Sequence, residues 1–276
     1  MRVPDEMKQC VCFLCVKTRQ GNNSFSYRGT GFFVSVQSEA DPQHHHIYMI
    51  TAKHCVEQAK NLGDLYVRLN NRQGGVKQTK ITNQWLYPEN EADVAVVPFG
   101  MPADVLFRHL PADGFFVTDD IIQKMDIGIG DTLYIAGLFP RHYGLQVNIP
   151  IIRTGIIAAM PDEPLQDDNT GLEYDAYLAE VQSIGGLSGS PVFVFLEPGR
   201  IPNPHGFLRR QVFLLGLIRG HWDYKRSASI DFADNELEAI NMGIAIVSPI
   251  QEVAALLYGE ELVKQRRQLD REAKRY

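Results

Sequence analysis

The feature that most constrains the fold is a series of short apolar or alternating runs that recurs along almost the whole chain. Gly, Pro, Asn and Asp residues separate these runs. Runs of this length with turn residues between them predict β-strands, and many short strands in succession indicate a sandwich or a barrel. The predicted strands are 11–16, 31–36, 47–51, 65–69, 94–99, 132–136, 151–158, 176–181, 192–196, 212–218 and 244–247.

Helical signals are few. A short turn of helix is expected within 51–62, and a longer helix at the C-terminus. Ser248 stands at its cap position and Pro249 at its first helical position, and apolar residues follow at helical spacing. After Gly259 the pattern becomes charged with both signs mixed, which favours a solvated helix end over a partner-binding or membrane-surface role.

Composition excludes several classes of protein. A hydrophobic fraction of 45% in 276 residues supplies a real core. A net charge of −6 argues against general nucleic-acid binding. No apolar run approaches the roughly 20 residues that cross a bilayer, and residues 1–9 do not resemble a secretory signal. Four cysteines, three of them clustered, are a poor disulfide framework, so we expect free thiols and a cytoplasmic location.

Two patterns raise the question of a metal site. The run 44–46 is three histidines, but adjacent residues of an extended chain point to opposite faces, so we interpret it as a loop before a strand. Cys10, Cys12 and Cys15 lack a second pair that would complete a zinc site, and their run alternates like a strand. The sequence therefore predicts neither a metal nor a cofactor.

A serine between glycines is the strongest chemical signal. The segment 185–192 reads Gly-Gly-Leu-Ser-Gly-Ser-Pro-Val and leads into a predicted strand, with Ser188 at its centre. A nucleophile that attacks a carbonyl must stand on a tight, exposed turn, and small neighbours allow unusual dihedrals and close approach of substrate. Backbone N–H groups beside it can then stabilise an oxyanion. Alone, the pattern is equally that of a glycine-rich turn.

A histidine and an aspartate stand at the ends of two other predicted strands. His54 follows the strand 47–51, and Asp93 immediately precedes the strand 94–99. Histidine titrates near neutrality and suits a general base. A carboxylate on its other ring nitrogen would fix the tautomer and stabilise the imidazolium. Taken singly, each is more often a buried core histidine or a solvated aspartate.

Together these motifs resemble the trypsin-like serine peptidases. The family fragments T-A-x-H-C, D-[IV]-A-[LV] and G-x-S-G-[GS]-P all occur, in the order His, Asp, Ser. The segments 29–34 and 127–137 also resemble family strands, the second especially those of bacterial HtrA-like members without a PDZ domain. The resemblance covers about residues 10–258.

The resemblance implies an all-β fold of two six-stranded antiparallel β-barrels with a C-terminal α-helix. It places the first barrel at 8–118, the second at 119–248 and the helix at 249–276. His54, Asp93 and Ser188 would be the catalytic triad, and the N–H groups of Gly186 and Ser188 the oxyanion hole. The residues that it implies for substrate binding are Gln182, Arg219, Gly220, His221 and Gly243.

The chain departs from the family pattern at two places. Secreted relatives have a cysteine near Thr30 that bridges to the position of Cys55, and it is absent here. The residue before the serine is commonly an Asp that pairs with a new N-terminal amine, whereas this chain has Leu187. We expect Leu187 to order the turn by burial instead.

Two functions remain open from the sequence. The first is a serine endopeptidase that acts on a protein or peptide through an acyl-enzyme, with a regulatory protein partner as a further possibility. The second is a catalytically silent binding module that uses the cleft and long loops for protein contacts.

Overall fold

Alternate residues of the first long strand enter two different hydrophobic cores, which explains its unbroken apolar run. Val11 and Phe13 belong to the larger core, and Cys12, Leu14 and Val16 to the smaller one. The structure, a computed structural model, describes residues 3–18, 24–90, 92–167, 170–181, 186–197, 212–224 and 240–274.

The first half of the chain forms an eight-stranded sheet around the smaller core. Its main path runs β5-β4-β1-β2-β3-β6, with β7 beside β4 and β8 beside β2. The strands are β1 (Val11–Lys17), β2 (Phe25–Gln37), β3 (His45–Thr51), β4 (Leu65–Asn71), β5 (Val76–Lys80), β6 (Ala95–Pro98), β7 (Val105–Leu106) and β8 (Leu110–Pro111).

The second half forms a closed six-stranded barrel in the order β10-β13-β16-β15-β14-β9, and β11 and β12 form a separate hairpin. The larger core fills this barrel and continues onto the first sheet. The strands are β9 (Thr132–Gly137), β10 (Ile151–Ala159), β11 (Leu165–Gln166), β12 (Glu173–Tyr174), β13 (Tyr177–Glu180), β14 (Pro191–Phe195), β15 (Val212–Tyr224) and β16 (Ile240–Pro249).

Five short helices complete the described part of the chain, and none of them is long and apolar enough to cross a membrane. They are α1 (Glu6–Gln9), α2 (Lys53–Lys60), α3 (Asp119–Met125), α4 (Ile250–Leu257) and α5 (Glu260–Ala273).

The mostly β architecture and one closed six-stranded barrel are as predicted. The first half is an eight-stranded sheet whose main path has six strands, with two-residue strands beside β4 and β2, so a closed six-stranded barrel there stays a prediction. One correction concerns the C-terminus. The C-terminal segment is two helices that break at Tyr258 and Gly259, and Pro249 occupies the cap position. The boundaries 8–118, 119–248 and 249–276 stay a prediction.

One face of the C-terminal helix α5 packs on the first sheet. His46 Nε2 lies 2.9 Å from Asp270 Oδ1, and both side chains are buried. Arg266 donates to the Tyr48 hydroxyl at 3.1 Å. The prediction of a solvated helix end holds for Lys264, Arg267 and Arg271, which are exposed, and is wrong for Arg266 and Asp270. The loop interpretation of 44–46 is wrong for His45 and His46, because β3 begins at His45.

Candidate active site

Strand register brings the predicted histidine and aspartate together. In the antiparallel pair of β3 and β6, Thr51 lies opposite Ala95. The chain continues beyond Thr51 to His54, and it reaches Ala95 from Asp93. Continuing an antiparallel register brings these two segments side by side. The strand ends themselves therefore position the pair, and His54 lies in the first turn of α2.

Asp93 holds His54 at two points. The backbone N–H of His54 donates to Asp93 Oδ1 at 2.9 Å, and Nδ1 lies 2.6 Å from Oδ2. Asp93 is buried, with 7% of its surface exposed, whereas the His54 side chain is about one-third exposed. A carboxylate only accepts, so Nδ1 carries the proton and Nε2 is left as the basic nitrogen.

The surroundings of His54 raise its pKa. Burial alone lowers the pKa, but the hydrogen bond to Asp93, the neighbouring Cys55 thiol and the Asp93 charge outweigh it and raise the pKa from 6.5 to about 10. The imidazolium is thus favoured over the neutral ring. The ring can therefore act as a base only at a more alkaline pH than the near-neutral range expected of an ordinary histidine.

The serine turn is fixed to both halves of the molecule. The N–H of Gly189 donates to Ile218 O at 2.8 Å on β15. The N–H of Thr30 on β2 donates to Ser188 O at 2.9 Å. A Cβ on Gly189, whose φ is +79°, would lie 2.3 Å from Thr51 Oγ1. Only glycine therefore allows the turn to pack on the strand that leads to His54.

Leu187 is buried in the larger core, as the sequence predicts, with 1% of its surface exposed. A Cβ at Gly137 would stand 2.7 Å from Leu187 Cδ2, so this glycine leaves room for the leucine. Gly186 precedes it with φ +98°. Burial of the leucine fixes the turn without a charged partner.

The predicted oxyanion donors are available on this turn. Among the bonds of the described residues, none uses the backbone N–H of Gly186 or of Ser188. No bond within the described ranges joins the Ser188 hydroxyl to the His54 ring either. The neighbour of Nε2 is the Cys55 thiol, at 3.5 Å. Such bonds often tighten only when substrate binds.

Three of the residues predicted to bind substrate, Arg219, Gly220 and His221, lie on β15 beyond its pairing with β14. The ladder with β14 reaches Leu217, whereas the ladder with β16 continues through Gly220 and His221. Arg219 forms an ion pair with Asp167 at 2.8 Å.

The Arg219 guanidinium also stacks 3.7 Å from the centre of the Tyr174 ring. The hairpin β11–β12 therefore holds this cation. Gly243, with φ +78°, accepts from the N–H of Val181 at 2.8 Å on the other side of β16. Gln182 lies outside the described residues.

A buried arginine beside the site was not predicted. Arg68 on β4 is 1% exposed, and its guanidinium donates to Asn148 Oδ1 at 2.7 Å and to Gly144 O at 2.7 Å. It thereby holds the loop between β9 and β10, whose Pro140 lies against Gly186. An arginine inside the apolar run 65–69 is a signal that could have found it.

In the described part of the chain, the cysteines and histidines do not gather into a metal site. All four cysteines are free and buried, and burial raises the pKa of the Cys10 and Cys12 thiols. Within the described ranges, no three His, Cys, Asp or Glu side chains are grouped so that they could hold a metal ion.

A histidine held by an aspartate, beside a glycine-flanked serine on a β scaffold, defines the class of proteins to which trypsin-like peptidases belong. The family model for the trypsin-like peptidase domain matches residues 29–197. The chain belongs to this family, which confirms the resemblance.

Among solved structures, the chain is similar to the crystal structure of Deg5, with a TM-score of 0.49, 12% identity and 92% of each chain covered. No curated protein matches it.

Proposed function

We propose that the chain is a serine endopeptidase that cleaves peptide bonds through an acyl-enzyme. Ser188 is the nucleophile, His54 takes its proton, and Asp93 holds the ring. The observation that carries the proposal is the pair of hydrogen bonds from His54 to Asp93, at 2.9 and 2.6 Å, beside the serine turn. In the neutral ring this arrangement leaves Nε2 free to act as the base.

The turn supplies the second element of the mechanism. The N–H groups of Gly186 and Ser188 donate to the oxyanion that forms when Ser188 attacks the carbonyl carbon. One such donor is worth about 2.7–4 kcal/mol of transition-state stabilisation. The proton on His54 then passes to the leaving amine, and water, deprotonated by the same ring, releases the acyl group.

An extended peptide binds along residues 219–221 in this proposal. β15 continues past the end of β14 there, and Ile218 already bonds to the serine turn. Addition of a peptide strand gives main-chain hydrogen bonds along its length and holds the scissile carbonyl near Ser188.

The experiment is labelling with a phosphonate fluoride, followed by peptide mass analysis. We expect the label on Ser188, and none on a Ser188→Ala variant. Ser190→Ala is the matched control, since Ser190 lies on the same turn but is fully buried. A label on Ser190, or none on folded wild-type protein, would contradict the proposal.

One observation favours a second function, that of a silent binding module. The Cys55 thiol, rather than the Ser188 hydroxyl, lies against Nε2 of His54. If this contact persists with substrate, the serine is not activated. The labelling experiment separates the two functions, because a silent module keeps the fold and leaves Ser188 unmodified.

A further inference from the structure

Thr30 is a fully buried residue of β2 whose side-chain hydroxyl joins two segments of the second barrel. The hydroxyl donates to Gly186 O at 2.9 Å, and it accepts from the N–H of Leu138 at 2.9 Å. Leu138 directly follows β9. The residue belongs to one half of the molecule, while both partners of its hydroxyl belong to the other.

The backbone of Thr30 bonds to the same neighbourhood. Its N–H donates to Ser188 O at 2.9 Å, and its carbonyl accepts from the Thr51 hydroxyl at 2.7 Å. Thr30 therefore touches the residues on both sides of Leu187. It is also one hydrogen bond from the end of β3, three residues before His54.

The direction of the hydroxyl proton is fixed by the chemistry of its partners. A threonine hydroxyl has one hydrogen to donate, and the Leu138 N–H already occupies a lone pair of its oxygen. The hydrogen must then point to Gly186 O, because a carbonyl only accepts. This bond holds the peptide plane between Gly186 and Leu187, since a peptide unit is rigid.

Gly186 is a residue of the turn whose backbone orientation is not restricted by a side chain of its own. Its φ of +98° is accessible to glycine, which rotates with little steric restriction. The burial of Leu187 fixes the residue that follows, but it does not set the direction of the Gly186 carbonyl. The Thr30 hydroxyl supplies that restraint from the first sheet.

We propose that Thr30 is a positioning residue for the oxyanion hole. Its hydroxyl fixes the Gly186–Leu187 peptide, which lies between the two peptide units that carry the N–H groups of Gly186 and Ser188, and thereby restrains the directions of both. The inference rests on the proposed function, because it needs an oxyanion for these donors to bind. Thr30 itself touches no substrate.

The test compares Thr30→Val, which keeps the shape and removes the hydroxyl, with Thr30→Ser, which keeps the hydroxyl. The rate of phosphonate-fluoride labelling is measured for each variant and divided by the fraction of the protein that is labelled at the end of the reaction. Misfolded protein, which does not label, then makes no contribution. Loss of one oxyanion donor costs about 10²–10³ in kcat. For Thr30→Val we expect a smaller loss of about tenfold to hundredfold, with Thr30→Ser within about threefold of wild type.

Two further readouts separate positioning from stability. With a fluorogenic casein substrate, we expect Thr30→Val to lower kcat while KM and the pH profile stay in place, because His54 and Asp93 are untouched. If the valine variant does not fold, Thr30→Ala makes the same comparison with Thr30→Ser.

Several results overturn the inference. The inference is wrong if Thr30→Val and wild type label at the same rate per site. It is also wrong if Thr30→Val and Thr30→Ser are slowed equally, or if Thr30→Val changes KM alone. Wild-type protein that leaves Ser188 unlabelled overturns the proposed function instead, so the two failures are distinguishable.

Discussion

Replacing Asp93 by asparagine changes one atom of the site and should remove most of the activity. Asp93 Oδ1 accepts from the His54 backbone N–H, so an asparagine that keeps this bond places its NH₂ group against Nδ1, now 2.6 Å from Oδ2. Nδ1 must then accept, and the ring proton moves to Nε2. A histidine protonated there cannot take the Ser188 proton.

The expected loss is about 10⁴-fold in kcat, the size known for a triad locked in the wrong tautomer. By transition-state theory this is about 5.4 kcal/mol at 1.36 kcal/mol per decade. The assay is cleavage of fluorogenic casein, with circular dichroism to check the fold. Asp104→Asn is the control, because Asp104 pairs with Lys77 on the surface. An Asp93→Asn enzyme within about tenfold of wild type would refute the tautomer argument.

Three further predictions follow from the site. Because His54 must be neutral to act, its pKa of about 10 should move the rising limb of kcat/KM to alkaline pH, and a limb complete by about pH 7 contradicts this. Gly29→Cys should form a disulfide with Cys55 on oxidation, because its Cβ would stand 3.4 Å from Cys55 Cβ, close to the roughly 3.5–4.5 Å found in disulfides. The measurement is the number of free thiols before and after oxidation, with Gly29→Cys/Cys55→Ser as the control. The prediction is contradicted if Gly29→Cys loses no more thiols than this control. Leu187→Ala should lower the free energy of unfolding by about 2–5 kcal/mol in denaturant titrations, whereas exposed Leu145→Ala should leave it unchanged; equal effects would refute burial as the restraint.

Features encoded within a few consecutive residues were predictable. Strand 65–69 became β4 and strand 132–136 became β9 with ends shifted by one or two residues, because apolar alternation and turn residues act locally. The burial of Leu187 was also predicted, since a leucine in a glycine-rich turn has few other uses. The candidate triad came from the resemblance of three short fragments to the trypsin-like peptidases, and the structure places two of its members, His54 and Asp93, in contact.

Features that depend on distant partners were not predictable. β5 is polar apart from Val76, and its identity as a strand comes from its ladder with β4 rather than from its own pattern. The charged residues of α5 are predicted from the sequence to face solvent. Arg266 and Asp270 are nevertheless buried, because they bond to Tyr48 and His46 of β3. Thr30 gave no signal, since its hydroxyl acts only once two segments of the second barrel reach it.

The packing of α5 on β3 makes the completion of the first half depend on the folding of the second half. His46 and Asp270 are 224 positions apart, and Tyr48 and Arg266 are 218 apart. Contacts at such separations form late, because the entropy of closing the intervening chain must be overcome first. The whole second barrel lies within that interval. The surface of β3 around His46 and Tyr48 is therefore covered by α5 only when the barrel has brought this helix back to the first sheet.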